Sequence, residues 1–137
     1  MKLPTGFKFA GVSAGIKKKL NSRDVALIVS DAACTVAGVF TTNQVVAAPV
    51  VISRARCPSS AVRGIVINSG NANACTGELG HANALKMSEL AARYVSQSTQ
   101  SNLAADAFLI MSTGIIGHQL PMQKIEAGIR DAAASLS

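Results

Sequence analysis

Tryptophan is missing from this sequence altogether, and its aromatic residues are one tyrosine and four phenylalanines. A core must therefore be assembled from Ala, Val, Ile and Leu. Such side chains let elements approach closely, but each removes little apolar area from water, at roughly 25 cal/mol per Å². In a chain of 137 residues an Ala-rich core is marginal unless a further surface covers it. The shortage of aromatics also removes the stacking half of a single-strand nucleic-acid surface. Acidic residues are few, 7 against 13 Lys and Arg, for a net charge of +6. The basic residues are scattered, apart from Lys17-Lys18-Lys19 and the spaced Arg54, Arg56 and Arg63. A solvated surface or an acidic partner fits that pattern better than nucleic acid, and it is compatible with attraction of an anionic substrate.

The three cysteines, Cys34, Cys57 and Cys75, are odd in number and widely spaced. There is no C-x-x-C pair and no His at ligand spacing, so neither a disulfide framework nor a metal site follows. Free thiols, buried or half-buried in a reducing compartment, are the simpler reading. No apolar run reaches membrane-spanning length, and the first residues lack a signal-peptide pattern. The expectation is a soluble cytoplasmic protein that touches no membrane. Repeats, low-complexity tracts and linkers are also lacking, so a single domain over 1–137, or part of one, is the simplest parse.

What is present is 49% apolar and patterned, which excludes a disordered chain. The first third reads as short strands: Phe7 to Phe9, Ala14 to Ile16, Val25 to Val29, Val36 to Phe40 and Val45 to Ile52. The unbroken run Val25 to Val29 predicts a strand buried on both faces. Pro58-Ser59-Ser60 breaks the chain before a further short strand, Gly64 to Ile67. From Leu79 the period becomes helical, with Met87, Leu90, Ala91, Tyr94 and Val95 on one face. Ala107 to Met111 predicts another strand. Pro121 suits a first helical position, and Ile125, Gly128, Ile129, Ala132, Ala133 and Leu136 mark the face of a last helix. Strands first, then strand–loop–helix units at 64–96 and 107–136, predict an α/β (α+β layered) domain. The last helical pattern runs to the end of the sequence without a Gly or Asn cap, which suggests truncation or cleavage.

Two loops have residues suited to chemistry. Asn68 to Glu78 combines three Asn, a Ser, a Thr and two Gly next to a helix start. It reads either as an anion-facing loop or as turns in which Asn side chains tie down buried backbone. It lacks the Lys of a P-loop and the spacing of a dinucleotide fingerprint. Ser112-Thr113-Gly114-Ile115-Ile116-Gly117 lies between a strand and a Pro-initiated helix. A hydroxyl beside a Gly amide gives two donors for an oxyanion hole, and an ordinary Gly-containing turn is the competing reading. His81, on a helix, has no acid spaced to orient it; His118 follows the second loop and reads either as a site neighbour or, more simply, as a lone surface histidine. Glu78 suits a helix N-terminus, and Asp24 and Asp31 read as strand-end residues. Ser112 lacks the G-x-S-x-G elbow of a hydrolase nucleophile. No complete catalytic constellation is present.

Four blocks are more specific together than apart: Gly6 to Val12, Ala37 to Asn43, the Asn68-to-Glu78 loop, and Ser112 to Gly117 with Leu120-Pro121-Met122 and Lys124-Ile125. In that order they resemble the ornithine acetyltransferase family, also called bifunctional glutamate N-acetyltransferase. The resemblance implies an enzyme of arginine biosynthesis, with this chain as the N-terminal part of its α chain. It implies a precursor that cleaves itself at an Ala-Thr bond. The new N-terminal Thr of the β chain is then the nucleophile, carrying acetyl from N-acetylornithine to glutamate. Thr113 and Gly114 match the family's oxyanion hole. The resemblance further implies an α2β2 assembly and no resident cofactor, with acetyl-coenzyme A as a co-substrate in some members. The family's Thr-Thr-Asp-Thr cleavage segment has no counterpart here, so this chain is expected to be inactive alone. A self-cleaving aminopeptidase of related fold and a small basic binding module are the alternatives.

Overall fold

The computed structural model describes residues 4–137. Among these, β1 (Phe7–Val12), β2 (Val25–Val36), β3 (Ser59–Asn71) and β4 (Phe108–Ile115) form a sheet in the order β1-β2-β3-β4. The first two pairings are antiparallel, and β3–β4 is parallel. Helices α1 (Ala48–Ala55), α2 (Gly77–Thr99) and α3 (Met122–Ala134), with a 3-10 turn at Ala105–Ala107, complete the element order. The parallel pair is joined through α2, since parallel strands need a long crossover. The α/β layered class expected from the sequence is what the fold shows.

Side chains alternate across a strand, and the alternation here separates two different environments. Val25, Leu27, Val29, Val66, Phe108 and Ile110 are buried on one face, in a core shared with α2 and α3. The expected helix faces supply the other half of that core: Met87, Leu90, Ala91 and Val95 from α2, and Ile125, Ile129, Ala132 and Ala133 from α3. The small residues serve close approach, because a Cβ on Gly128 would lie 2.8 Å from both Ala14 Cβ and Val25 Cγ2. Ile28, Ile65 and Leu109 point to the opposite face and are only half-buried. Burial of β2 on both faces is therefore not what is found: the described helices cover one side only.

The run Val45–Ile52 is not a strand. Its β-branched composition suggests one, yet α1 occupies Ala48–Ala55, with Pro49 in its first turn and Pro49, Ile52 and Ser53 buried. That i, i+3, i+4 spacing is a helix face, and Pro pre-sets the first-turn φ. Packing outweighs β propensity here. Helix α1 covers the outer edge of β4, where Ser53 Oγ accepts from Ile110 N and donates to Ile110 O, both at 3.0 Å. This blunts an edge that would otherwise offer unpaired backbone.

Other boundaries also move. β2 ends at Val36, so Val36–Phe40 is not a strand, and Asp31 lies inside β2 rather than at its end. Ala14–Ile16 is a loop held by the buried Asp24 carboxylate, which accepts from the amides of Ala14, Ile16 and Lys17 at 2.6, 2.7 and 3.0 Å. Pro121 is the N-cap of α3, one position before its first helical residue, and α3 closes at Ala134 rather than running on. Ser137 instead pairs with β1, its carbonyl accepting from Phe9 N at 3.0 Å.

Arg56 and Arg63 are not simply solvated charges. Arg56 donates to the Phe108 carbonyl and to Ser88 Oγ, and burial lowers its pKa against an opposing effect of Asp106. Arg63 donates to the carbonyls of Ser30 and Asp31. Between α2 and α3, Tyr94 and Arg93 both donate to Glu126 and hold its carboxyl below the ordinary range. No helix among the described residues is long and apolar enough to cross a membrane. All three thiols are free; Cys34 and Cys57 are half-buried, and Cys75 is exposed rather than buried.

Candidate active site

The carboxyl ends of β3 and β4 lie side by side, and ligands of α/β sheets gather outside such ends. In register, Asn68 faces Ser112, Ser69 faces Thr113 and Gly70 faces Gly114; Asn71 then pairs with both Thr113 and Ile115. The double pairing is a bulge at Gly114, a device that re-aims backbone next to functional sites. Gly114 has φ +134°, and a Cβ there would fall 2.3 Å from the Gly70 carbonyl carbon and 2.5 Å from Asn71 N. Only glycine meets both demands. Gly70 also has a positive φ, +115°, and sits against Ile16 and Lys17 of the loop that Asp24 holds.

Ser112 to Gly114 belong to the end of β4, not to a separate loop. Strand alternation turns Ser112 toward the helix-covered face and Thr113 toward the face that carries Leu109 and Met111. Ser112 Oγ donates to Asn68 Oδ1 at 2.5 Å. Thr113 and Gly114 are exposed, and the Thr113 hydroxyl has no hydrogen-bond partner among the described residues. The rim thus presents an exposed hydroxyl beside an exposed glycine, on backbone fixed by close packing.

The Asn68-to-Glu78 loop is spent on structure. Asn68, Asn71 and Asn73 are buried. Asn68 Nδ2 donates to Asn71 O at 2.8 Å, and Asn71 Nδ2 to the carbonyls of His118 and Gln119 at 3.1 and 3.0 Å. Asn73 donates to Gly80 O and accepts from Thr76 Oγ1, both at 2.8 Å. Backbone bonds from Ala72 N to Ile115 O and from Gly117 N to Ala74 O, each 2.9 Å, finish the seam. Residue types alone left this loop open between anion binding and backbone support. The side-chain amides are engaged in the latter.

His118 is exposed beyond the bulge, and His81 lies on the exposed side of α2. Near His81 is a cavity of about 400 Å³ that also takes in Cys75 and Thr76. Glu78 is exposed in the first turn of α2. At the β4 edge, between α1 and the face that carries Ile65 and Leu109, a largely apolar cavity of about 300 Å³ runs from Phe40 and Pro49 to Ser112. Among the described residues no three His, Cys, Asp or Glu side chains gather to hold a metal. Backbone support by Asn68 and Asn71 is one of the two roles their residue types suggest, whereas nothing in the sequence beyond a polar residue bordering an apolar run points to the anchoring role of Asp24.

Fold and rim together define a mixed α/β domain with an open, glycine-shaped edge at the carboxyl ends of a parallel strand pair. Residues 8–137 match the ArgJ family. The chain is 52% identical over 134 residues to the arginine biosynthesis bifunctional protein ArgJ of Rhodopirellula baltica, a match covering 98% of this chain and 31% of that protein. It is 46% identical to the protein of the same name from Thermotoga neapolitana, covering 100% of this chain and 33% of that one. A crystal structure of ornithine acetyltransferase from Mycobacterium tuberculosis, complexed with ornithine, superposes with a TM-score of 0.93 at 38% identity. That superposition covers 98% of this chain and 69% of that chain. This chain belongs to the ArgJ family, as the ordered blocks of its sequence suggested, and it spans about a third of the length of the curated relatives it matches.

Proposed function

We propose that this chain acts as the N-terminal, α-chain part of an acetyltransferase that moves an acetyl group from N-acetylornithine to glutamate. Thr113 and Gly114 form the oxyanion hole. A β chain, contained in the remaining length of the relatives, supplies an N-terminal Thr. Its hydroxyl attacks the acetyl carbonyl while its own α-amine takes the proton. The carbonyl oxygen becomes an oxyanion and accepts from the Thr113 hydroxyl and the Gly114 amide. Collapse breaks the amide bond, and ornithine leaves with the proton on its amine. The α-amine of glutamate then attacks the acetyl ester, and the threonine hydroxyl is regenerated. Each donor of such a hole contributes on the order of 10²–10³ in rate.

The observation that carries this reading is the bulge at Gly114, which fixes an exposed hydroxyl and the following amide at the carboxyl end of β4. The relatives' name, arginine biosynthesis bifunctional protein, and the ornithine-bound neighbour support the substrate class. The apolar, helix-free face supports the partner. Thr113 turns to that face, so a β chain covering Leu109 and Met111 also reaches the hydroxyl. The reaction as proposed needs no resident cofactor and belongs in the cytoplasm.

The test joins this chain with the complementary length of an ArgJ relative and supplies N-acetylornithine labelled in its acetyl group together with glutamate. The expected products are labelled N-acetylglutamate and free ornithine. Hydrolysis of peptide amides with no transfer to glutamate would replace this reading with that of an aminopeptidase.

A further inference from the structure

Resting on that reading, we propose that Asn68 is a positioning residue for the oxyanion hole, acting through Ser112 on one side and through Asn71 on the other. Asn68 is 0% exposed and lies directly across from Ser112 in the parallel pairing. Its carboxamide is used in both senses: Oδ1 accepts from Ser112 Oγ at 2.5 Å, and Nδ2 donates to Asn71 O at 2.8 Å. The residue before Thr113 is thereby fixed to β3.

The far side of Thr113 and Gly114 is fixed by the neighbour that Asn68 holds. Asn71 Nδ2 spans the carbonyls of His118 and Gln119, and Ala72 N reaches Ile115 O. The backbone between Ser112 and Gln119 is therefore clamped at both ends by one buried asparagine relay. Gly114 lies against the Gly70–Asn71 peptide in the middle of the clamp. An oxyanion hole works because its donors need no reorganisation during the reaction. A misplacement of about 1 Å costs on the order of 10²-fold in rate. Asn68 is fully buried and Ser112 spends its hydroxyl on it, so the effect of the pair is on where Thr113 and Gly114 point.

The relay is read in the assembled enzyme with Ser112→Ala, Ser112→Thr and Asn68→Ala. Ser112→Ala removes one hydroxyl at a half-buried position and serves if Asn68→Ala does not fold. The expected result is a kcat lower by about 10–100-fold in Ser112→Ala, with KM for N-acetylornithine within twofold of the parent. Ser112→Thr, which keeps the hydroxyl, restores most of kcat. A parent-like kcat with only a lowered melting temperature overturns the positioning role. If the parent assembly itself transfers no acetyl group, the acetyltransferase reading fails separately. Amide exchange at Gly114 then decides the relay: faster exchange in Ser112→Ala supports it, and equal exchange overturns it.

Discussion

Gly114 lies against Gly70 so closely that a Cβ on Gly114 would come within 2.3 Å of the Gly70 carbonyl carbon. With φ at +134°, the position excludes side chains on conformational grounds as well.

Gly114→Ala is therefore expected to destabilise the fold by about 2–5 kcal/mol, strain and overpacking combined. Urea unfolding checks the loss. Any protein that does fold should have lost acetyl transfer in the assembled enzyme. A folded, fully active variant would show that the tight pairing does not shape the site.

How much of this was legible in the sequence differs from element to element. Helices α2 and α3 were readable because Met87, Leu90, Ala91 and Val95, and Ile125, Ile129 and Ala132, repeat with a helical period against one core. Helix α1 was not, because Val45, Val46, Val50, Val51 and Ile52 mask the spacing of Pro49, Ile52 and Ser53. The apolar run Val25 to Val29 does not disclose what covers each face of β2, and only one face is buried under helices. At the site, Ser112, Thr113 and Gly114 stood out only as a hydroxyl pair beside a glycine. The oxyanion-hole role proposed for Thr113 and Gly114 rests on ordered blocks of resemblance. The asparagine relay was illegible because hydrogen-bond partners 44 and 47 residues away are fixed by the parallel pairing of β3 with β4.

Asp24, 2% exposed, holds the 14–17 loop whose Ile16 and Lys17 pack on Gly70. Asp24→Ala strands three backbone amides and should cost about 3 kcal/mol. Asp24→Asn keeps one acceptor oxygen and should lose less. Thermal and urea melts give the order. Equal stability of parent and Asp24→Ala would remove the loop's anchoring role.

Met111 is 52% exposed on the helix-free face. In this chain alone, Met111→Glu should change stability by no more than about 0.5 kcal/mol, as at other open surface positions. In the assembly it places a charge in an apolar interface and should prevent co-elution with the β chain on size exclusion. Normal co-elution and full activity would mean that the partner lies elsewhere.

The central claim is that Thr113 donates to the oxyanion formed when acetyl is transferred. Single-turnover acetylation of the β-chain Thr from N-acetylornithine, followed by intact mass, measures that step without the second half-reaction. Thr113→Ala is predicted to slow acetylation by about 10²–10³-fold, with stability within about 0.5 kcal/mol because the side chain is exposed. Acetylation at the parent rate in a folded, assembled Thr113→Ala enzyme would contradict the account.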